Sequence, residues 1–421
     1  MQYPASELVI DPVLIREYDV DGPRYTSYPT ADRFVDAFGE AQFRQWLARR
    51  NIGGINQPLS IYVHLPICNK SSKYIKYLEK ELALIGPLAG ADRQICRLHW
   101  GGGTPAFFAR EELTQLMRAI DAQFERAPIF ECSVELDPRS APAGTLARLG
   151  ELGFNHVCIA AQSELTRSVI EEARASGFRS VSLDLVYGLP RQTLDSFSRT
   201  LDKIIALAPD RIALRGSAHL PKLPPSPEAK LQILTLAIGR LTRAGYLYIG
   251  MEHFAKANDE LAIAQAQGRL QRNFQGYSTH PAADMLGFGV AAIGNVGPTY
   301  YQNRRVLQEY YAELDAGRLP VSRGVELTQD DLVRRAVIQA LSCHFRVSIE
   351  SIELAHLIEF SRYFAAELAD LRRFADDGLL ELTPDWIVVT PKGRLMVGAV
   401  CKAFDRYLRE REARAAYAKV I

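Results

Sequence analysis

The stretch LSIYVHLP, residues 59–66, alternates apolar and polar side chains as a β-strand does, and helical periodicity follows it from Ser72 to Ile85. The same succession recurs along the chain. Strand-like runs are read at Ile95 to Trp100, Cys132 to Leu136, His156 to Ala161, Val181 to Tyr187, Arg211 to Leu214 and Tyr246 to Met251. Helical patterns are read between them at Glu111 to Phe124, Ala143 to Leu152, Leu165 to Ala175, Leu194 to Leu207 and Glu228 to Ala244. This alternation predicts parallel βαβ units, in an open doubly wound sheet or in a closed or partly closed barrel. The unusual residues separate the two. His64 with Cys68, the turn Gly101-Gly102-Gly103-Thr104-Pro105, Glu135 with Asp137, Gln162, Asp184, and Ser217 with His219 stand at or just past the C-terminal ends of six successive strands. A barrel gathers six such ends around one mouth, whereas an open sheet concentrates its site at one switch point. The expected fold class is α/β: a TIM-like partial (β/α) barrel over residues 56–300, preceded by a lead-in over 1–55.

Beyond residue 300 the pattern changes. Glu326 to Cys343, Ile349 to Leu357, Tyr363 to Asp377 and Gly393 to Arg409 read as helices, and residues 378–382 and 386–390 as a small hairpin. Residues 301–421 are therefore expected to form a mostly helical, winged-helix-like domain. Such a module can read DNA. Yet 50 basic residues against 49 acidic ones leave a net charge of +1, which speaks for a packing module and no nucleic-acid partner. No apolar run approaches bilayer length, and the first residues show no secretory pattern, so no membrane and a cytoplasmic location are expected. The six cysteines (68, 96, 132, 158, 343 and 401) are scattered without metal-ligand spacing and read as reduced thiols. In the lead-in, PRYTSYPT at 23–30 has a proline near each end and cannot be helical, while a short amphipathic helix is read from Ala41 to Arg50.

Three features carry chemistry. The triple-glycine turn lets backbone amides approach a ligand closely and favours a carboxylate or phosphate, although tight βα turns use glycine too. Glu135 and Asp184 are acids inside apolar strands, where a carboxylate needs a partner. That partner is a ligand amine, a ribose hydroxyl or a metal at a barrel mouth, or else a structural arginine. Tyr62 and His64 share one face of the first strand, with Cys68 just beyond it; the polar-aromatic stretch Asn273 to Tyr277 lines a pocket or is a surface loop.

Taken in order, PRYTSYPT (23–30), YVHLPIC (62–68), LHWGGGTP (98–105), ELDPR (135–139), LDLVYGLP (183–190), AHLP (218–221), GMEHFA (250–255) and RNFQGY (272–277) resemble the oxygen-independent coproporphyrinogen III oxidase family of radical-SAM enzymes. The resemblance implies a [4Fe–4S] cluster held by three cysteines, with one iron open to S-adenosyl-L-methionine, and two such cofactor molecules side by side. It implies a 5′-deoxyadenosyl radical that takes hydrogen from the propionates of coproporphyrinogen III, giving protoporphyrinogen IX in heme biosynthesis. A small electron-transfer protein as reductant and a monomer complete the picture. Position by position, Cys68 matches the first cluster cysteine, and Tyr62 matches a catalytic residue beside cluster and nucleoside. Gly102, Gly103 and Thr104 match the turn that holds the amino-acid part of the cofactor. Glu135, Gln162, Asp184, Ala218, Phe274, Gln275 and Ile293 match further cofactor contacts.

The chain departs from that family at four places. The family motif is C-x3-C-x2-C, and here Cys68 is followed by Asn69-Lys70-Ser71-Ser72-Lys73 with no second or third cysteine in reach. The loops after Gln162 and after Pro221 are shortened, and Arg215-Gly216-Ser217 replaces an aromatic and asparagine run. A cluster-less relative that binds heme or another tetrapyrrole is the alternative reading, and a DNA-binding regulator a third. Shortening confined to one face, with the turn and acids retained, favours the oxidase and carries the expectation that the natural protein has the complete cysteine loop.

Overall fold

The computed structural model describes residues 7–18, 23, 25–50, 59–67, 71–90, 93–161, 165–216, 226–279 and 284–411. In chain order its strands are β1 (Leu59–His64), β2 (Gln94–Gly101), β3 (Glu125–Leu136), β4 (His156–Ala160), β5 (Ser180–Tyr187), β6 (Arg211–Gly216), β7 (Tyr246–Gly250), β8 (His253–Lys256), β9 (Gln271–Asn273), β10 (Gly276–Ser278), β11 (Asp284–Phe288), β12 (Ile293–Val296), β13 (Thr299–Asn303), β14 (Val321–Glu326), β15 (Arg346–Ser348), β16 (Leu380–Leu382) and β17 (Trp386–Val389). Twelve of them form one sheet in the order β14-β13-β12-β11-β1-β2-β3-β4-β5-β6-β8-β7. From β11 through β6 the neighbours run parallel. Helices Ser71–Ile85, Arg110–Asp121, Thr145–Glu151, Leu165–Ala175, Leu194–Leu207 and Pro227–Arg243 follow β1 to β6 in turn. This is the expected α/β barrel, left open between β14 and β7.

Strand alternation decides which face is core. Leu59, Ile61 and Val63 of β1, Leu98 and Trp100 of β2, Val134 of β3, Ile159 of β4 and Leu183 of β5 are buried in one continuous apolar core with the helices. The residues between them are polar and face the barrel interior: Ser60, Tyr62 and His64; Arg97 and His99; Glu131, Ser133 and Glu135; Ser182 and Asp184. A period of two fixes both faces at once.

Two expectations are corrected. Tyr246 to Met251 is not a further parallel barrel strand. The chain turns at Met251 and Glu252, both at positive φ, so that β7 and β8 form a tight hairpin and β8 pairs antiparallel with β6. The sheet also runs past residue 300, because β12, β13 and β14 add an antiparallel meander as far as Glu326. After it come helix Gln329–His344, the three-stranded sheet β15-β17-β16 and helices Ile349–His356 and Ala365–Asp376. The expected last helix is broken: it is entered through a 3-10 turn at Arg394–Met396, runs over Val397–Ala403, and after Phe404 and Asp405 residues 406–411 are helical again. The lead-in ties to this end of the chain: Tyr25 donates to Asp405 (3.1 Å) and the Tyr28 hydroxyl accepts from the amide of Arg406 (3.2 Å).

One buried acid stitches helix Ser71–Ile85 to the sheet. Glu81 is fully buried and accepts hydrogen bonds from the Tyr310 hydroxyl (2.6 Å), the Asn303 amide (2.6 Å) and the backbone N–H of Gly289 (2.8 Å). Burial pushes its carboxyl up to about 7 despite these donors. A carboxyl raised in the folded state stabilises fully below its ordinary value and loses that contribution as pH rises towards 7. Glu81→Gln removes the titration along with part of the acceptor set. The stability gap between wild type and variant, from urea unfolding, should therefore shrink by about 3 kcal/mol between pH 4.5 and 8. A gap independent of pH contradicts this account.

Candidate functional site

The C-terminal strand ends bring together most of the residues expected there. Gly102 adopts φ +88, and a Cβ at that position would lie 2.1 Å from the His64 ring. At Gly103 a Cβ would lie 2.4 Å from the Leu65 carbonyl, so the turn packs backbone to backbone against the end of β1. Leu65 N–H donates to the Gly101 carbonyl (2.8 Å) and fixes that approach. The Gly102 N–H points at Glu135 and donates to its Oε2 at 3.0 Å. His99 Nε2 lies 3.5 Å from the other oxygen, while its Nδ1 meets Ser133 Oγ at 2.8 Å. Burial alone would raise the Glu135 carboxyl. The hydrogen bonds from His99 and Gly102 and the charge of Arg215 outweigh it and hold the group below its usual range.

Tyr62 stacks on His99 with ring centroids 5.8 Å apart, and its hydroxyl lies 3.0 Å from His64 Nδ1. Burial lowers His64 and raises Tyr62, so both groups are favoured in their neutral forms at this contact. Asp184 lies two strands from Glu135 and accepts from Arg215 Nε at 2.8 Å. The sequence reading opposed a ligand-binding Asp184 to an ion-paired one. The ion pair is present, formed with one oxygen, and Oδ1 has no partner among the described residues. Cys158 sits between the two acids in register with Glu135, its thiol pushed well up by burial.

Phe274 and Ile293 pack in an apolar cluster with Phe34, Tyr300 and Leu327. Phe274 meets Tyr300 edge-on at 5.5 Å. Both polar atoms of the Gln275 side chain are buried with no hydrogen-bond partner among the described residues, as is Thr104 Oγ1. Cys68, Gln162 and Ala218 lie outside the described residues. His99 and Arg215 were not singled out as site residues in the sequence. Alternation places His99 on the face of Gly101, whereas the partner of Arg215 emerges only from strand register.

The residues present fit S-adenosylmethionine. A glycine cradle that a Cβ would fill, two mouth carboxylates for a cationic ligand, and the orphaned Gln275 and Thr104 groups are complementary to it. The cysteine side does not fit a cluster. The five described cysteines stand on separate elements, and burial raises each thiol, Cys96 to about 11 and Cys343 to about 12. Cys68 alone cannot hold a cubane that needs three or four thiolates. Glu131, His156 and Glu260 are the one metal-like trio among the described residues. Arg97 lies 2.8 Å from Glu131 and Arg211 3.7 Å from Glu260, so these carboxylates belong to an ion network at the opposite end of the barrel. A cavity of about 250 Å³ lined by Pro105, Phe108, Leu113 and Leu152 lies on the helical side and contains none of the mouth acids.

Comparison with known proteins bears on the family and the fold. The HemN C-terminal domain family matches residues 327–396. The oxygen-independent coproporphyrinogen III oxidase of Pseudomonas aeruginosa is 42% identical over 94% of this chain and 96% of its own length. That of Escherichia coli is 39% identical over 98% of both. Their alignment spans 454 positions, more than the 421 residues here, so the relative carries segments that this chain lacks. The solved structure of the Escherichia coli coproporphyrinogen III oxidase, described as a radical SAM enzyme, superposes with a TM-score of 0.89 at 38% identity, covering 95% of this chain and 100% of that one.

Gly102→Ala should drive a methyl group into the His64 ring and detach the amide from Glu135. Stability should fall by about 2 kcal/mol, with S-adenosylhomocysteine binding lost in calorimetry. Unchanged binding would show that the turn is punctuation only.

Proposed function

The chain belongs to the oxygen-independent coproporphyrinogen III oxidase family, and from that premise we propose that it oxidatively decarboxylates coproporphyrinogen III to protoporphyrinogen IX. It is an oxidoreductase of heme biosynthesis. The observation that carries this reading is the near-full-length likeness to named oxidases, with the solved relative's fold reproduced at a TM-score of 0.89. The cluster-less alternative has no named relative behind it. The C-terminal module matches the HemN C-terminal domain family over residues 327–396, which lends the DNA-binding reading no support.

In this family a [4Fe–4S] cluster with S-adenosylmethionine supplies the chemistry, hydrogen removal from a propionate carbon. The protein's share is binding and orientation. Gly102, Gly103 and Thr104 offer a close backbone approach for the cofactor's amino-acid end, with the Thr104 hydroxyl awaiting a partner. Glu135 stays ionised beside them and can accept from the cofactor's ammonium or ribose. Tyr62, held by His64 and His99, supplies a rigid aromatic face for the nucleoside. Asp184 through Oδ1 and the unpaired amide of Gln275 are further cofactor contacts in this proposal. Phe274 and Ile293 supply apolar walls, while Cys68, Gln162 and Ala218 retain their roles by resemblance. The proposal divides the chain near Glu326, where the large sheet ends and the C-terminal domain begins. It includes a monomer, a small electron-transfer protein as reductant and a cytoplasmic location. Among the described residues no helix is long and apolar enough to cross a membrane.

Two experiments test the reading. Glu135→Ala should weaken S-adenosylhomocysteine binding at least tenfold with little change in Tm, because its side chain is 49% exposed and carries no buried ion pair. A large drop in Tm with binding intact would make Glu135 structural. The cysteine loop is tested on protein isolated anaerobically from its natural source, which should be brown and heavier than 47.0 kDa. A colourless protein of that mass, inactive on coproporphyrinogen III, overturns the oxidase reading.

A further inference from the structure

Arg215 is the mouth residue that the family likeness leaves unexplained. It stands at the C-terminal end of β6, in the segment where this sequence departs from the family. Its Nε donates to Asp184, and neither Nη has a partner among the described residues. The side chain is 43% exposed at the mouth. The groups around it are Asp184 on β5, Cys158 on β4 and Glu135 on β3. Glu135 is already engaged by Gly102 and His99, and the Cys158 thiol stays protonated. Arg139, on the loop after β3, differs: Nε and Nη2 both bind Asp137 and close its fork against its own loop. A guanidinium pinned at Nε with its Nη groups open is pre-organised for a carboxylate.

We infer that Arg215 is a specificity-determining residue that binds a propionate carboxylate of coproporphyrinogen III, with Asp184 positioning it. The inference rests on the oxidase reading. The cofactor's own carboxylate has the amide-rich turn at Gly102 to Thr104 as its match, whereas the substrate brings several propionates into the same mouth. A cation is then needed to balance them beside two acids. Arg215 answers that need from strand β6, across the mouth from the turn on β2.

The test uses coproporphyrin III, the stable and fluorescent oxidised form, titrated into the full chain. Its tetramethyl ester serves as the carboxylate-free control and S-adenosylhomocysteine as the cofactor probe. Arg215→Gln should weaken coproporphyrin III binding about ten- to a hundredfold, the loss expected for one charged hydrogen-bonded contact. Arg215→Lys should recover part of it, and wild type should discriminate strongly against the ester. S-adenosylhomocysteine affinity should change by far less than coproporphyrin III affinity, since Arg215 touches the cofactor acids only through Asp184 and its charge, and Tm should fall little because the pair is part-exposed. Equal coproporphyrin III affinity in wild type and Arg215→Gln overturns the inference. Weakened S-adenosylhomocysteine binding with porphyrin binding intact also overturns it, by assigning the fork to the cofactor carboxylate. A wild type that binds the cofactor probe but no coproporphyrin III sinks the oxidase reading itself.

Discussion

Neighbouring barrel strands turn a polar side chain inward at nearly every second position, and each of these groups has to be satisfied inside the barrel. Burying an unpaired charge is far more costly than any single apolar contact is favourable. The interior is therefore organised as layers of pairs between adjacent strands. Arg97 faces Glu131, His99 meets Ser133, and Arg211 holds Asp259, each with a partner from a neighbouring strand or the helix beyond it. The apolar residues between them go to the helical side, where Trp100 and Phe154 meet edge-on at 4.7 Å. Slipping any strand by one residue would exchange the two sets and leave charges in the apolar core. The same alternation that builds the fold thus sets the chemistry of its interior.

The two ends of the interior resolve this constraint differently. Glu131 and Glu135 lie four residues apart on one face of β3, yet their side chains are 6% and 49% exposed. At the first, a guanidinium closes the bottom of the barrel. At the second, a backbone amide and an imidazole hold a carboxylate that still meets solvent. These donors position the carboxylate while leaving it open to the barrel mouth. The glycine at position 102 makes this arrangement possible, since any side chain there would displace His64 and turn the amide away.

The parallel part of the barrel was legible because βα units repeat a pattern that sequence carries locally. Helices Leu165–Ala175 and Leu194–Leu207 coincide with their sequence readings end for end. The meander β12 to β14 was not legible. Its strands are short, β12 and β14 are glycine-broken, β12 and β13 are joined by a tight turn, and the helix Leu307–Asp315 before β14 connects antiparallel rather than parallel strands. The pairing of Arg215 with Asp184 was hidden for another reason. The residues are 31 positions apart, and only the parallel register of β5 and β6 brings them to one face. The empty hydrogen-bonding capacity of Gln275 is a property of tertiary burial and has no sequence signature at all.

The cluster side of the site is where sequence and family part, and the frame around it explains how a change there is tolerated. Tyr74 donates to the His64 carbonyl (2.8 Å) and accepts from the amide of Val290 (3.0 Å), which secures the end of β1. Ser71 donates to Glu112 (2.9 Å), and ten residues further along the same helix Glu81 anchors it to the sheet. Both ends of the segment after Leu65 are thus fixed by contacts that do not involve its interior. Closure entropy grows only slowly with loop length, by roughly 0.6 kcal/mol for each doubling, so segments of different length fit between the same two anchors. The first cluster cysteine expected from the family resemblance therefore falls on a segment whose length these anchors leave open. The turn at Gly102 and the acid at Glu135 sit on strands, where any shift in register would cost the whole polar interior. That difference in constraint accounts for a chain that keeps the glycine turn and its acid intact while the segment after Cys68 departs from the family pattern.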